Sequence, residues 1–226
     1  MQRVSISPSL LENWRWHRDS DRDDDTPFLE RLGGFVETEA MQLGTAFHSI
    51  IEHGLGAGEY DGQWFCVDGW QFAPEAVELA LAYREAYPNI IHEVRGYLRT
   101  RVATSQGEYD VRSSLRVDGI DGLTIHEVKT TASTYPVSIE DYLPSVQWQM
   151  YLLAFPHAQR VIYTKFQLTR KRIKAEATNK ITKAEAHQFE FVRDSSMEST
   201  VSSTMSEFLD FLERRDLLHL LDRRAN

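Results

Sequence analysis

The stretch Arg116-Val117-Asp118-Gly119-Ile120-Asp121-Gly122-Leu123-Thr124-Ile125-His126-Glu127-Val128-Lys129-Thr130 constrains this chain more than any other. Asp121-Gly122 is a strong turn signal between two strands, so the segment reads as a hairpin. Side chains on a strand alternate between faces, which sends Glu127 and Lys129 the same way. A two-residue turn at Asp121-Gly122 places Asp118 opposite Ile125, and a pairing shifted by two residues places it opposite Glu127. In both registers Asp118 shares a face with Glu127 and Lys129, so the three groups are expected to converge on one point.

Phosphodiester hydrolysis needs such a point. Two hard carboxylates suit Mg²⁺ or Mn²⁺, which prefer oxygen ligands. A metal there polarises a phosphoryl oxygen and acidifies water, and a neighbouring lysine stabilises developing negative charge. The backbone carbonyl of Val128, between the two functional side chains, is a further candidate ligand. E-x-K on an exposed strand is nevertheless common, so the signal depends on what surrounds it.

The surroundings read as alternating helices and strands. Ser7-Pro8-Ser9 opens a short helix through about Arg18, and Asp19–Asp25 reads as a solvated acidic loop. Helices are expected over Thr38–His53, Ala73–Tyr87 and Leu143–Phe155, the last with Pro144 in its first turn. Strands are expected around Gln63–Phe72 and over His92–Ala103, Glu108–Asp118, Thr124–Thr131, Arg160–Leu168 and Phe189–Val192. Arg170–Lys183 reads as a basic hairpin or loop. The helix, three strands, helix, strand order predicts a mixed α/β fold. We expect one domain over residues 1–226, with a motif-bearing core at about 38–192 and C-terminal helices at about 197–224.

Composition narrows the function classes. No run of about 18 apolar residues exists, so no membrane span is expected. Met1 leads into a polar stretch, so no signal peptide is expected. A single cysteine, Cys66, excludes a disulfide framework and a cysteine-built zinc or iron–sulfur site. Its simplest role is that of a small buried hydrophobe on a strand. These features point to a reducing, cytoplasmic setting. The net charge of −9 argues against coating nucleic acid over the whole surface, but not against a local basic cleft.

Two further motifs flank the hairpin. Upstream, Gly44-Thr45-Ala46-Phe47-His48-Ser49-Ile50-Ile51-Glu52 lies on a predicted helix, with His48 and Glu52 on one face. A neutral imidazole beside a carboxylate can complete a metal shell, and Gly44 permits close approach of another backbone. Downstream, Gln147-Trp148-Gln149-Met150-Tyr151 puts Gln147 and Tyr151 on one helical face, an amide and a phenol able to hydrogen-bond a phosphate or hold the lysine.

In that order, G-T-x-x-H-x-x-x-E, D…E-V-K-T and Q-x-x-x-Y resemble the RecB-type exonuclease branch of the PD-(D/E)XK nuclease superfamily, which includes RecB and RecE-like enzymes. Ile6-Ser7-Pro8-Ser9-Leu10-Leu11 is similar to the family's N-terminal helix signature, so the likeness spans roughly residues 5 to 155. The resemblance implies a restriction-endonuclease-like core, a central mixed β-sheet flanked by helices. It implies that His48, Asp118 and Glu127 bind the divalent metal, that Lys129 is catalytic, and that Gln147 and Tyr151 support the site or the DNA. Val117 stands where the superfamily name has proline. The cysteines that hold an iron–sulfur cluster in some relatives are absent, so no cluster is expected.

The expected activity is that of an exonuclease acting from DNA ends in recombination, repair or phage DNA metabolism. The alternatives are an endonuclease, a nuclease trimming DNA for CRISPR adaptation, and a DNA-binding module with an inactive site. DNA is the expected partner, with a single-strand annealing or recombination protein and further copies of the chain as additional partners. Arg170, Lys171, Arg172, Lys174, Lys180 and Lys183 form the densest basic stretch and are candidates for phosphate contacts. Arg112 and Arg116 alternate on the strand of Asp118 and face the same cleft. Trp14, Trp16 and Trp148 are candidates for base stacking, with core packing the expected role of at least two.

Overall fold

Two hydroxyl side chains start helices where the sequence predicts. Ser7 accepts a hydrogen bond from the Leu10 amide and Thr38 from the Met41 amide, each satisfying a backbone N–H that the first helical turn leaves open. The computed structural model describes residues 1–20, 24–34, 37–173 and 176–222. In chain order the elements are β1 (Gln2–Ser5), α1 (Pro8–Arg18), α2 (Thr26–Gly33), α3 (Glu39–His53), β2 (Glu59–Asp61), β3 (Trp64–Val67), β4 (Trp70–Phe72) and α4 (Pro74–Ala86). There follow β5 (Ile91–Ala103), β6 (Glu108–Asp121), β7 (Thr124–Thr131), α5 (Val146–Ala154), β8 (Arg160–Ile173), β9 (Glu176–Val192), α6 (Met197–Arg214) and α7 (His219–Asp222). The fold is mixed α/β, a large mixed sheet flanked by helices.

The nine strands among the described residues join one sheet in the order β1-β6-β7-β8-β9-β4-β3-β2, with β5 also paired to β6. β5 runs antiparallel to β6 from Ile91↔Ile120 to Ala103↔Glu108 and takes one edge of it. The other edge is shared. β1 pairs in parallel with residues 109–112 of β6, and β7 pairs antiparallel with only residues 119–121. Beyond Gly119↔His126 the ladder between β6 and β7 stops, while β7 continues in parallel register with β8. An opening is left between β6 and β7 at the level of Asp118.

The two sides of the sheet are covered differently. On one side, α1, α5 and α6 bury Val4, Val102, Tyr109 and Val111, and α5 also covers Leu115, Val117, Ile125 and Tyr163. On the other, α3 and α4 pack over Val128, Phe166, Leu168 and Ile181 of β7, β8 and β9. Among the described residues no helix covers the half of that second side made by β1, β5 and β6; Tyr97 is 74% exposed there.

Several boundaries differ from the sequence reading. α5 begins at Val146, with the Ser145 side chain capping it; Pro144 lies ahead of the helix, after a 3₁₀ turn at Ile139–Asp141. Of the two readings of the basic segment, hairpin or loop, the hairpin holds: it is the far end of the long paired strands β8 and β9. Cys66 is on a strand but faces its half-exposed side. β1 and α2 were not anticipated. The acidic stretch is partly engaged: Asp25 pairs with His17 at 2.8 Å and with Arg215. No helix among the described residues is long and apolar enough to cross a membrane.

Phe47 fixes α3 to the sheet. It is fully buried, with ring centroids 5.8 Å from Phe72 and 5.0 Å from Phe166. Phe47→Ala is expected to cost about 3–5 kcal/mol, measured as a lower urea midpoint with an unchanged slope. A loss under about 1 kcal/mol would mean that α3 is not held there.

Candidate active site

The turn after β6 selects one of the two registers left open by the sequence. Gly122 takes the left-handed conformation, φ 57°, and Asp121 pairs with Thr124, so the two loop residues are Gly122 and Leu123. The ladder therefore runs towards Asp118 opposite Glu127. It breaks before that pair forms. Asp118 Oδ2 instead accepts the backbone N–H of Val128 at 2.7 Å, replacing the strand partner that the opening removes.

Strict alternation also breaks at this level. Val117 and Ile120 both pack with the cluster under α5, so Asp118 and Gly119 both turn to the opposite side. The same occurs on β5, where Glu93 has φ 57°, a backbone conformation that non-glycine residues adopt rarely. Asp118 accordingly lines a narrow cleft with His48, Glu52, Tyr83, His92, Glu93, His126 and Val128. Glu127 and Lys129 belong to the side of β7 that carries Ile125. The expectation that Asp118, Glu127 and Lys129 share one face is thus corrected: they approach the opening from opposite sides of the sheet.

His48 projects from α3 into the cleft, with Nδ1 4.0 Å from Asp118 Oδ1. Burial holds its imidazole below the ordinary value against the pull of Glu127 and a hydrogen bond to the Val128 backbone, which favours the neutral, ligand-competent form. Gly44 sits one helical turn earlier. A Cβ there would meet Thr130 Oγ1 of β7 at 2.8 Å, so the close approach expected of Gly44 is to a side chain. Glu52 lines the cleft mouth, 3.9 Å from His53.

Glu127 is the most desolvated acid of the group, 4% exposed. Burial raises its carboxyl to about 7, although the adjacent Lys129 ammonium opposes this. Lys129 Nζ donates to Glu127 Oε1 at 2.5 Å, while Oε2 is buried without a hydrogen-bond partner. For Lys129, burial is the largest single influence and would lower the pKa, but the charge and hydrogen bond of Glu127 together with the charge of Asp118 outweigh it and the net shift is upward. Burial likewise raises Asp118. Behind Glu127, Gln147 Nε2 donates to the Tyr151 hydroxyl at 2.7 Å. Tyr151 is buried and its phenol is pushed well up, first by burial and then by the charge of Glu127. The expected Gln147–Tyr151 pair therefore exists and backs the acid–lysine pair.

Among the described residues no three His, Cys, Asp or Glu side chains stand close enough together to hold an ion as placed. His48 and Asp118 are within reach of a common centre, since two ligands each about 2.1 Å from Mg²⁺ are at most about 4.2 Å apart. Glu127 is turned onto Lys129, the cation beside it. Its unpartnered buried oxygen is the feature that fits a further positive charge.

The predicted nucleic-acid contacts divide. Arg116 is exposed and pairs with Glu93 at 2.6 Å; Arg112 is exposed on the same side. Arg170 makes two 2.9 Å bonds to Glu39 and lies over Trp70, so it ties the β8–β9 ribbon to the start of α3 and is no free cation. Lys171 and Arg172 are exposed at the ribbon's end, six or more residues beyond the Lys165–Lys129 rung, roughly 20 Å along the strand. Lys174 lies outside the described residues. Trp14 and Trp148 are core residues, and Trp16 is half-exposed beneath Arg15. Sequence reasoning missed Glu93, His92, Tyr83 and His126. They converge from three distant elements, α4, β5 and β7, and the placing of His92 and Glu93 on one side depends on the irregularity at Glu93.

No family model matches the chain, and no curated protein matches it. Among solved structures the chain is similar to one described as "Crystal structure of SSO0001", at 14% identity over 91% of this chain and 76% of that one, with a TM-score of 0.43. A likeness of that strength carries no argument about activity.

The raised Glu127 carboxyl has a signed consequence. Between the ordinary value of 4.5 and about 7 the unfolded chain releases this proton first, so this group's contribution to stability is present at low pH and is lost as pH rises. The metal-free protein is expected to lose up to about 3 kcal/mol from this group between about pH 4.5 and pH 7. Glu127→Gln should flatten that dependence in thermal melts with chelator. Identical pH slopes for the two proteins would place the carboxylate in water.

Proposed function

We propose that the chain is a divalent-metal-dependent DNA nuclease of the PD-(D/E)XK type, acting on phosphodiesters from DNA ends. The observation that carries this reading is the meeting of Asp118, His48, the Val128 backbone and the Glu127–Lys129 pair at the opening between β6 and β7. The element order supports it too: α3, the antiparallel β5–β6–β7, α5, and β8 parallel to β7 give the arrangement expected of that nuclease core.

His48, Asp118, Glu127 and the Val128 carbonyl are the groups that would hold Mg²⁺ or Mn²⁺. When bound, such an ion polarises a phosphoryl oxygen and acidifies water. The rest of the chemistry belongs to the side chains. Glu127 is a desolvated acid whose second oxygen is free to take a cation. Lys129 is held beside it as a fixed positive charge, suited to a phosphate in a partly water-excluded site. Tyr151, braced by Gln147, limits where the Glu127 carboxylate can lie. Asp118 is locked by the Val128 amide, so its second oxygen is pre-aimed towards His48. The setting expected for such an enzyme is DNA recombination, repair or phage DNA metabolism, with annealing or recombination proteins, or further copies of the chain, as partners.

The test is degradation of end-labelled linear and closed-circular DNA with Mg²⁺ or Mn²⁺. Linear DNA is expected to be degraded and closed circles spared. Asp118→Ala and Glu127→Ala should abolish cleavage, and Lys129→Ala should slow it by about 10²–10³. Cleavage of closed circles would make it an endonuclease. Metal-independent or absent cleavage would sink the nuclease reading.

A further inference from the structure

Six arginines stand on the uncovered side of β1, β5 and β6: Arg3, Arg95, Arg99, Arg101, Arg112 and Arg116. Arg95 is opposite Arg116 and Arg99 opposite Arg112, so they form cross-strand rungs on one face. All six are exposed. The chain as a whole carries 34 acids against 25 Lys and Arg, so this patch runs against its overall charge. Arg95 and Arg101 have no acidic partner within ion-pair distance among the described residues, whereas Arg116 faces Glu93.

The arrangement is also braced. Asp110 lies under the arginines with its side chain 1% exposed; Arg99 binds both of its oxygens, at 2.6 and 2.9 Å, and Arg3 and Arg112 lie 3.6 and 3.8 Å away. One carboxylate thus positions three guanidinium groups and leaves a positive excess. Like charges directly across a ladder repel, and nothing in the packing of this uncovered face calls for them. Between the rungs stands Tyr97, 74% exposed, opposite Ser114. At one end of the same face lie Glu93 and Asp118.

We propose that this face seats a single DNA strand and leads it into the cleft, with the arginines on phosphates and Tyr97 stacked on a base. The proposal rests on the nuclease reading for its substrate and moves the binding surface away from the β8–β9 ribbon. From Arg101 to Glu93 the track is eight residues of strand, roughly 27 Å. Guanidinium groups bind phosphate oxygens in pairs, and an exposed aromatic accepts any base. An open sheet face of this kind suits an unpaired strand whose bases can turn towards the protein.

The experiment is fluorescence anisotropy with the full chain in chelating buffer, using a labelled oligothymidine of about 15 nucleotides and a blunt duplex of equal length. Arg95→Glu with Arg101→Glu changes two exposed, unpaired side chains and leaves the Asp110 cluster intact. It should weaken single-strand binding at least about tenfold and reduce the salt slope by about 1.4. Tyr97→Ala should weaken it about tenfold with no change in salt slope. Lys171→Glu with Arg172→Glu, at the ribbon's end, should change it less than about twofold. Wild-type affinity in the β5 variant, a loss confined to the ribbon variant, tighter binding of the duplex, or no binding by the wild type would each overturn the proposal. Strand binding on this face without cleavage by the wild type would defeat the nuclease reading alone.

Discussion

A carboxylate taken out of water needs a positive charge beside it, and Glu127 is the instance on which the opening between β6 and β7 turns. Its side chain lies below α5 with one oxygen on Lys129 and the other unpartnered. Much of the local architecture answers to that. β7 leaves β6 after a short ladder, Asp118 caps the amide so released, and Tyr151 closes over the acid from α5.

Much of the fold was legible because its cues are local. Thr38 and Gly54 bound α3 as their chemistry dictates, the latter with φ 61°, and the order of helices and strands follows from periodicity. What was not legible depends on pairing between distant segments. β1 is four residues long and exists because β6 offers it an edge. α2 packs through Phe28 and Leu32 against α1 and the C-terminal helices, partners that no local window contains. Pro144 fitted a first helical turn on propensity alone, yet Ser145 is the better cap and the helix starts after it.

The site was half visible. His48, Asp118, Glu127, Lys129, Gln147 and Tyr151 do gather, and the i, i+4 spacing of Gln147 and Tyr151 is realised as a hydrogen bond. The expected shared face failed because strand alternation is a rule for regular strands. Glu93 and Asp118 interrupt it at the same level on adjacent strands, which also brought in a carboxylate that no motif marks. Along the basic ribbon, density of charge in the sequence is not the same as availability of each cation. Arg170 is occupied by Glu39, while the more open arginines are scattered through β1, β5 and β6 and become neighbours only across the ladder.

β5 has a second consequence as the outer strand of the sheet. Among the described residues its far edge has no strand partner, and the alternate backbone groups that point outward along a strand of thirteen residues would ordinarily invite another chain to add itself. A second copy joining there in antiparallel fashion would bring guanidinium rows against guanidinium rows. Such rows of like charge facing one another oppose extension of the sheet along that edge.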